Sequence, residues 1–188
     1  MRKRLSTFIA IVIAFVSLGL APAYAIDERV IDVVAVNWNG AATALSNPKT
    51  VAEVIDKEVN ADWKKFTTMV GATTDRTISF KSGKVLDAPI ALVSKMACTG
   101  YAASDFMSSI RPEAYKRLGI SDYSNRYLVV YAPKAGCIWS GRAGLGGPKS
   151  VSGTLILHDS DSSFVIAHEL GHTFGLGHSN FCLLYTSD

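Results

Sequence analysis

The chain has 188 residues, 48% hydrophobic and 19% charged, which describes a globular protein with a core of its own and excludes a disordered polyelectrolyte. Its formal net charge of +3 resides in Arg2, Lys3 and Arg4; beyond residue 25, 16 basic residues face 16 acidic ones. Nothing in that near-neutral balance points to nucleic acid or an anionic membrane surface as a partner.

Arg2-Lys3-Arg4, an apolar run over 5–20 and the small-x-small triplet Ala23-Tyr24-Ala25 make residues 1–25 an export signal, with Ile26 as the new amino terminus. The alternative is an uncleaved anchor, but a bilayer span needs about 20 apolar residues and has no use for Ala-x-Ala. Cleavage leaves no stable membrane association and delivers the protein outside the cell or to a periplasm, where cysteines meet an oxidising environment. Residues 26–181 then form one domain.

The β-branched run 29–38, closed by Asn39-Gly40, predicts a buried first strand, and Asn47-Pro48 predicts a turn. From 50 to about 70, Val51, Val54, Ile55, Val59, Trp63, Phe66 and Val70 recur at helical spacing opposite Glu53, Lys57, Lys64 and Lys65, an amphipathic helix backing a sheet. Residues 77–80 alternate as a short strand ended by Ser82-Gly83, and 102–118 reads as a helix interrupted at Arg111-Pro112 and stopped by Gly119. Residues 127–131 predict a second firm strand, 141–153 a glycine-rich loop, and 154–157 a strand leaving it. Asp159, Ser160, Asp161 and Ser162 are N-cap candidates for a helix starting near Ser163. Strands alternating with helices in one unit give an α+β fold with a mixed, mostly parallel sheet.

The chemistry lies at the end of that last helix. His168-Glu169-Leu170-Gly171-His172-Thr173-Phe174-Gly175-Leu176-Gly177-His178 fits H-E-x-x-H-x-x-G-x-x-H at each specified position. Four residues apart on a helix, His168 and His172 share a face and can both ligate one ion. Gly175 falls where the helix must stop and the chain turn, and the turn brings back His178 as third ligand. Three histidines leave the fourth position of a tetrahedral zinc open, as catalytic sites do. Zinc so held lowers the pKa of a bound water to ~7 and polarises a carbonyl, and Glu169 accepts the water's proton and passes it to the leaving amine. The bland reading is a helix of solvated histidines; three of the chain's four histidines fall in the motif, which argues against it.

Those residues resemble the metzincin clan of zinc endopeptidases, and the stretch 168–179 together with Cys137-Ile138-Trp139-Ser140-Gly141 is most similar to the gametolysin family. The resemblance implies a zincin-like catalytic domain: a twisted sheet, a backing helix, an active-site helix and an edge strand that pairs with a protein or peptide substrate. By that analogy the substrate-facing edge lies within 150–157. It also implies a methionine-containing turn downstream of His178, and the four methionines at 1, 69, 96 and 107 are all upstream. The last residues, Cys182-Leu183-Leu184-Tyr185-Thr186-Ser187-Asp188, read as translated sequencing adapter, with an authentic apolar tail as the alternative; on that reading the C-terminal subdomain is truncated and the fragment is expected to be poorly active.

Several residues stand outside the motif. Cys98 and Cys137 are expected to form a disulfide; a free thiol or a cysteine gating the zinc are the alternatives. His158 reads as a surface or outer-sphere histidine rather than a fourth ligand. Asp159 and Asp161 read as helix caps, with calcium a further option that no loop motif supports. Trp38, Trp63 and Trp139 read as core or loop anchors, and no G-x-S-x-G elbow points to a serine hydrolase. The reaction so read is peptide-bond hydrolysis of extracellular or cell-surface proteins. The rival class is a catalytically silent zinc module recognising wall or matrix components, which would be expected to lose Glu169. Nothing in the chain speaks to oligomeric state.

Overall fold

The computed structural model describes residues 27–38, 48–69, 78–86, 88–92, 100–133, 137–158 and 160–178. The export signal, the turn at Asn39-Gly40, Cys98, Asp159 and the terminal stretch 182–188 lie outside them. In chain order the elements are β1 (Asp27–Trp38), α1 (Pro48–Val54), a π-helical segment (Ile55–Val59), α2 (Asn60–Met69), β2 (Ile78–Val85), β3 (Ile90–Leu92), α3 (Gly100–Leu118), β4 (Arg126–Ala132), β5 (Gly141–Ala143), β6 (Gly153–His158) and α4 (Ser163–Thr173).

The strands form one sheet in the order β2-β1-β4-β6-β5, with β3 also paired to β1. All ladders are parallel except that between β5 and β6. The fold is therefore α+β with a mixed, mostly parallel sheet of six strands. Its central strands are buried on both faces, which is why β1 and β4 read as nearly unbroken apolar runs. Alternation then divides their side chains between two cores. Ile31, Val33, Tyr127, Val129, Tyr131, Leu155 and Leu157 pack with α1, α2 and α4, while Val34, Val36, Leu128, Val130 and Ile156 pack against α3. Trp63 is a core residue, crossing Phe80 edge-on at 5.2 Å.

Several expectations need correction. The helix over 50–70 runs from Pro48 to Met69 but widens to π geometry at Ile55–Val59. Asp56 and Asn60, at the two ends of this stretch, reach across to the outer edge of β2. Asp56 accepts from Ser82 N and Oγ at 2.7 and 2.6 Å, and Asn60 exchanges hydrogen bonds with Phe80 N and O at 2.7 and 2.8 Å. Helix side chains thus satisfy an edge that would otherwise be open to another strand.

The second strand does not end at Ser82-Gly83; it runs on to Val85. Asp32, fully buried on β1, accepts from Lys84 N at 2.7 Å and from Arg126 Nε and Nη2 at 2.6 Å each. A Cβ at Gly83 would lie 2.3 Å from Asp32 Oδ1, so glycine here serves close strand packing rather than a turn.

Helix α3 is not interrupted at Arg111-Pro112, although proline removes one intrahelical donor there. Arg111 is anchored from the sheet side, donating to the carbonyls of Gly153, Tyr123 and Arg126 and to Thr154 Oγ1 at 2.6–3.2 Å. That tertiary fork offsets the lost bond. Gly119, with φ +65°, does end the helix.

The glycine-rich region contains a strand, β5, and this strand lies at the sheet's margin. The resemblance placed the free edge in 150–157, but β6 is flanked by both β4 and β5 and cannot be the edge. A three-residue strand rich in small side chains carries too little alternation to be seen in sequence. No helix among the described residues is long and apolar enough to cross a membrane.

Candidate metal centre

Helix α4 starts and stops by different devices. At its start the N-cap position is held by Ser162, whose side chain makes no capping bond, so neither Asp161 nor Ser162 caps as expected; Asp159 lies outside the described residues. Ser163 Oγ instead donates to Asp62 on α2, and that bond, ahead of Lys65, holds the Asp62 carboxyl below its usual value. Tertiary contact has replaced local capping.

At its end, Gly175 takes φ +88°. Gly175 N donates to His172 O at 2.9 Å and Leu176 N to Gly171 O at 3.0 Å, the paired bonds of a Schellman cap. The turn reverses the chain so that His178 returns to the helix face carrying His168 and His172.

The result is convergence. The three Nε2 atoms lie 3.1 Å (His168 to His172), 2.9 Å (His172 to His178) and 3.3 Å (His168 to His178) apart. Three nitrogens bound to one zinc at about 2.0–2.1 Å with tetrahedral angles stand about 3.3–3.4 Å apart. The triangle is slightly contracted, and the donor set fits a small divalent ion. His168, His172 and His178 are the metal-capable cluster among the described residues.

Tautomer and orientation are also controlled. His172 Nδ1 is 2.7 Å from Leu176 O, an atom that can only accept, so Nδ1 carries the proton and Nε2 of the neutral ring offers its lone pair. Burial first, then the neighbouring His172 and His178, pushes the His168 pKa down to about 4, which keeps that ring neutral too. The His172 pKa is lowered as well, by burial first. Phe66 of α2 sets the position of His168 edge-on at 5.9 Å. Its ring lies so close under Gly171 that a Cβ there would meet Phe66 Cε1 at 2.7 Å.

Glu169 is 5% exposed, and burial pushes its carboxyl up to about 8, opposed by Arg142 and by a hydrogen bond from Ala143 N–H. Its Oε2 is buried without a protein hydrogen-bond partner among the described residues. A lone buried carboxylate oxygen is costly unless something else meets it. This chemistry suits an exchanger of protons and not a structural ion pair.

The other candidates are placed as follows. His158 is not a surface residue: it is 3% exposed, stacked on Trp139 at 4.1 Å, and stands outside the metal cluster. Cys137 is buried, while the position of Cys98 lies outside the described residues. Asp161 belongs to no metal-capable cluster among the described residues, so calcium gains no support there.

The supports of the site leave little mark in the sequence. Leu176 acts through its backbone carbonyl, Phe66 through its ring, and the glycine-rich region through closeness. Gly146 N donates to His172 O at 2.9 Å, and a Cβ at Gly146 would sit 1.9 Å from Thr173 O. The density of glycine over 141–153 was the available signal: a stretch without side chains is one that another element can approach.

No family model and no curated relative match the chain. Among solved structures it is similar to a chain of "Structure of a chaperone-substrate complex", at 18% identity and TM-score 0.40, covering 82% of this chain and 25% of that one. The chain thus spans about a quarter of that neighbour's length, and so loose a likeness carries no argument.

Proposed function

We propose that the protein is a secreted zinc-dependent endopeptidase of the metzincin type, with a zincin-like catalytic domain, hydrolysing peptide bonds of extracellular or cell-surface proteins. The observation that carries this reading is the meeting of three histidine Nε2 atoms within 2.9–3.3 Å of one another, two of them on the helix that also carries the buried carboxyl of Glu169 and the third returned to it by the turn at Gly175. His168, His172 and His178 would hold the ion and, as neutral rings, would take no part in proton transfer. Zinc bound there supplies Lewis acidity towards a substrate carbonyl and a water of lowered pKa. Burial keeps Glu169 protonated in the metal-free protein, but the positive charge of an ion beside it would favour the ionised form. In that form Glu169 would receive the proton of the attacking water and deliver it to the departing amine, acting first as base and then as acid. Ala143 N–H steadies the carboxylate between those two states. The strand that supplies this N–H, β5, is the last strand of the sheet among the described residues, a position suited to main-chain pairing with an extended peptide.

The test uses the intact gene product and labelled casein. One zinc per chain, cleavage abolished by a chelator, and a fall of about 10²–10⁴-fold in turnover for Glu169→Gln at unchanged zinc content are expected. Glu169→Gln with undiminished turnover would refute the mechanism, and a zinc-loaded protein that cleaves nothing would be the silent binding module instead.

A further inference from the structure

Strand β5 does more than border the sheet, because its first residue touches the carboxylate. A Cβ built on Gly141 would lie 2.8 Å from both Cγ and Oε1 of Glu169, and 2.7 Å from Val165 Cγ1. Those distances are shorter than real Cβ contacts, and Glu169 is enclosed, so it has little room to give way. Two residues on, and on the same side of the strand, Ala143 donates its N–H to the same carboxylate. Oε2 has no protein partner among the described residues, so the bond from Ala143 falls to Oε1, the oxygen over Gly141.

We propose that Gly141 is a positioning residue for Glu169: its bare Cα lets the carboxylate lie against β5, where Ala143 N–H holds Oε1 and Oε2 is left to exchange protons. The inference rests on the peptidase reading above and adds a specificity of place. The residue that moves the proton is registered against the strand that an extended substrate would pair with. A side chain at 141 lifts Glu169 off β5, so the three histidines stay assembled while the proton acceptor is displaced. A misplacement of about 1 Å costs on the order of 10²-fold in rate.

The test compares Gly141→Ala with wild type in the intact zinc-loaded protein, using an internally quenched peptide built on a casein site that the wild type cuts. Expected are a fall in kcat of about 10–100-fold, KM within about 2-fold, one zinc per chain, and an unaltered visible spectrum of the cobalt(II) form. Gly144→Ala, at a position where a Cβ meets nothing within 4 Å, should match wild type. Because Gly141→Ala also presses on Val165, the pair Gly141→Ala/Val165→Ala relieves that contact and keeps only the one with Glu169. The kcat deficit should persist in the pair relative to Val165→Ala alone. Recovery of kcat in the pair would mean that Gly141 serves helix packing only, and wild-type kcat in Gly141→Ala itself would also overturn the proposal. A wild type that shows no metal-dependent cleavage would instead sink the peptidase reading, which keeps the two failures apart.

Discussion

Glu169 carries the largest electrostatic cost in the site. Burial raises its pKa from an ordinary 4.5 to about 8, so between those values the folded chain keeps a proton that the unfolded chain has released. Stability of the metal-free protein therefore falls as pH rises through that window. His168 works in the opposite sense: with its pKa lowered from 6.5 to about 4, it takes stability away as pH falls below 6.5. Above about pH 6.5 the His168 contribution is flat and the carboxylate acts alone. Thermal melts of the chelated protein should show midpoints declining from about pH 6.5 to about 8, and Glu169→Gln should remove that decline. A wild-type midpoint that is level across this range would show that the carboxylate is solvated, contrary to its 5% exposure.

Among elements, the end of α4 matters most, since one turn serves both fold and metal. Gly175 takes φ +88°, and Leu176, next in line, gives its carbonyl to His172 Nδ1 at 2.7 Å. Gly175→Ala puts a Cβ into a left-handed residue and 3.1 Å from Gly146 O. The left-handed strain alone costs about 1–2 kcal/mol. Shifting the turn also moves the Leu176 carbonyl and His178, and loss of such a supporting bond typically weakens metal binding by about 10–100-fold. Zinc affinity by competition with a chromophoric chelator, alongside urea unfolding, would separate the two effects. Wild-type affinity in Gly175→Ala would show that the cap does not orient the ligands. The motif's helical spacing and its glycine were both legible in sequence, whereas the partner of His172 was not, because a backbone carbonyl leaves no trace in residue identity.

At the scale of the molecule, the chain is stitched by contacts between distant segments. Asp32 and Arg126 meet 94 positions apart and Asp62 and Ser163 101 apart. The proposed export to an oxidising compartment would add a covalent stitch. A Cys98–Cys137 bridge would close a loop of about 40 residues and contribute up to about 4 kcal/mol in the chain-entropy model. Cys137→Ser should lower the unfolding free energy by roughly that amount without changing zinc content, and non-reducing peptide mapping of the secreted protein should recover the bridged pair. Mapping that finds free thiols at both positions would refute the bridge.

Spacing along the chain was enough to read His168, His172, His178, Glu169 and Gly175, because a helix converts a four-residue interval into a shared face and a glycine marks where it can turn. Runs of β-branched residues likewise announced β1, β4 and β6, since strands buried on both sides need apolar residues throughout. What no spacing could state is which residues stand opposite one another across the sheet and between layers. The continuity of α3 through Pro112, the extension of β2 through Gly83, the burial of His158 under Trp139 and the placing of β5 at the margin all depend on partners far away in sequence. Local propensity is a bias of about 1 kcal/mol per residue. A four-acceptor fork on Arg111 or a buried carboxylate at Asp32 exceeds that bias, so at those positions the tertiary contacts decided the outcome.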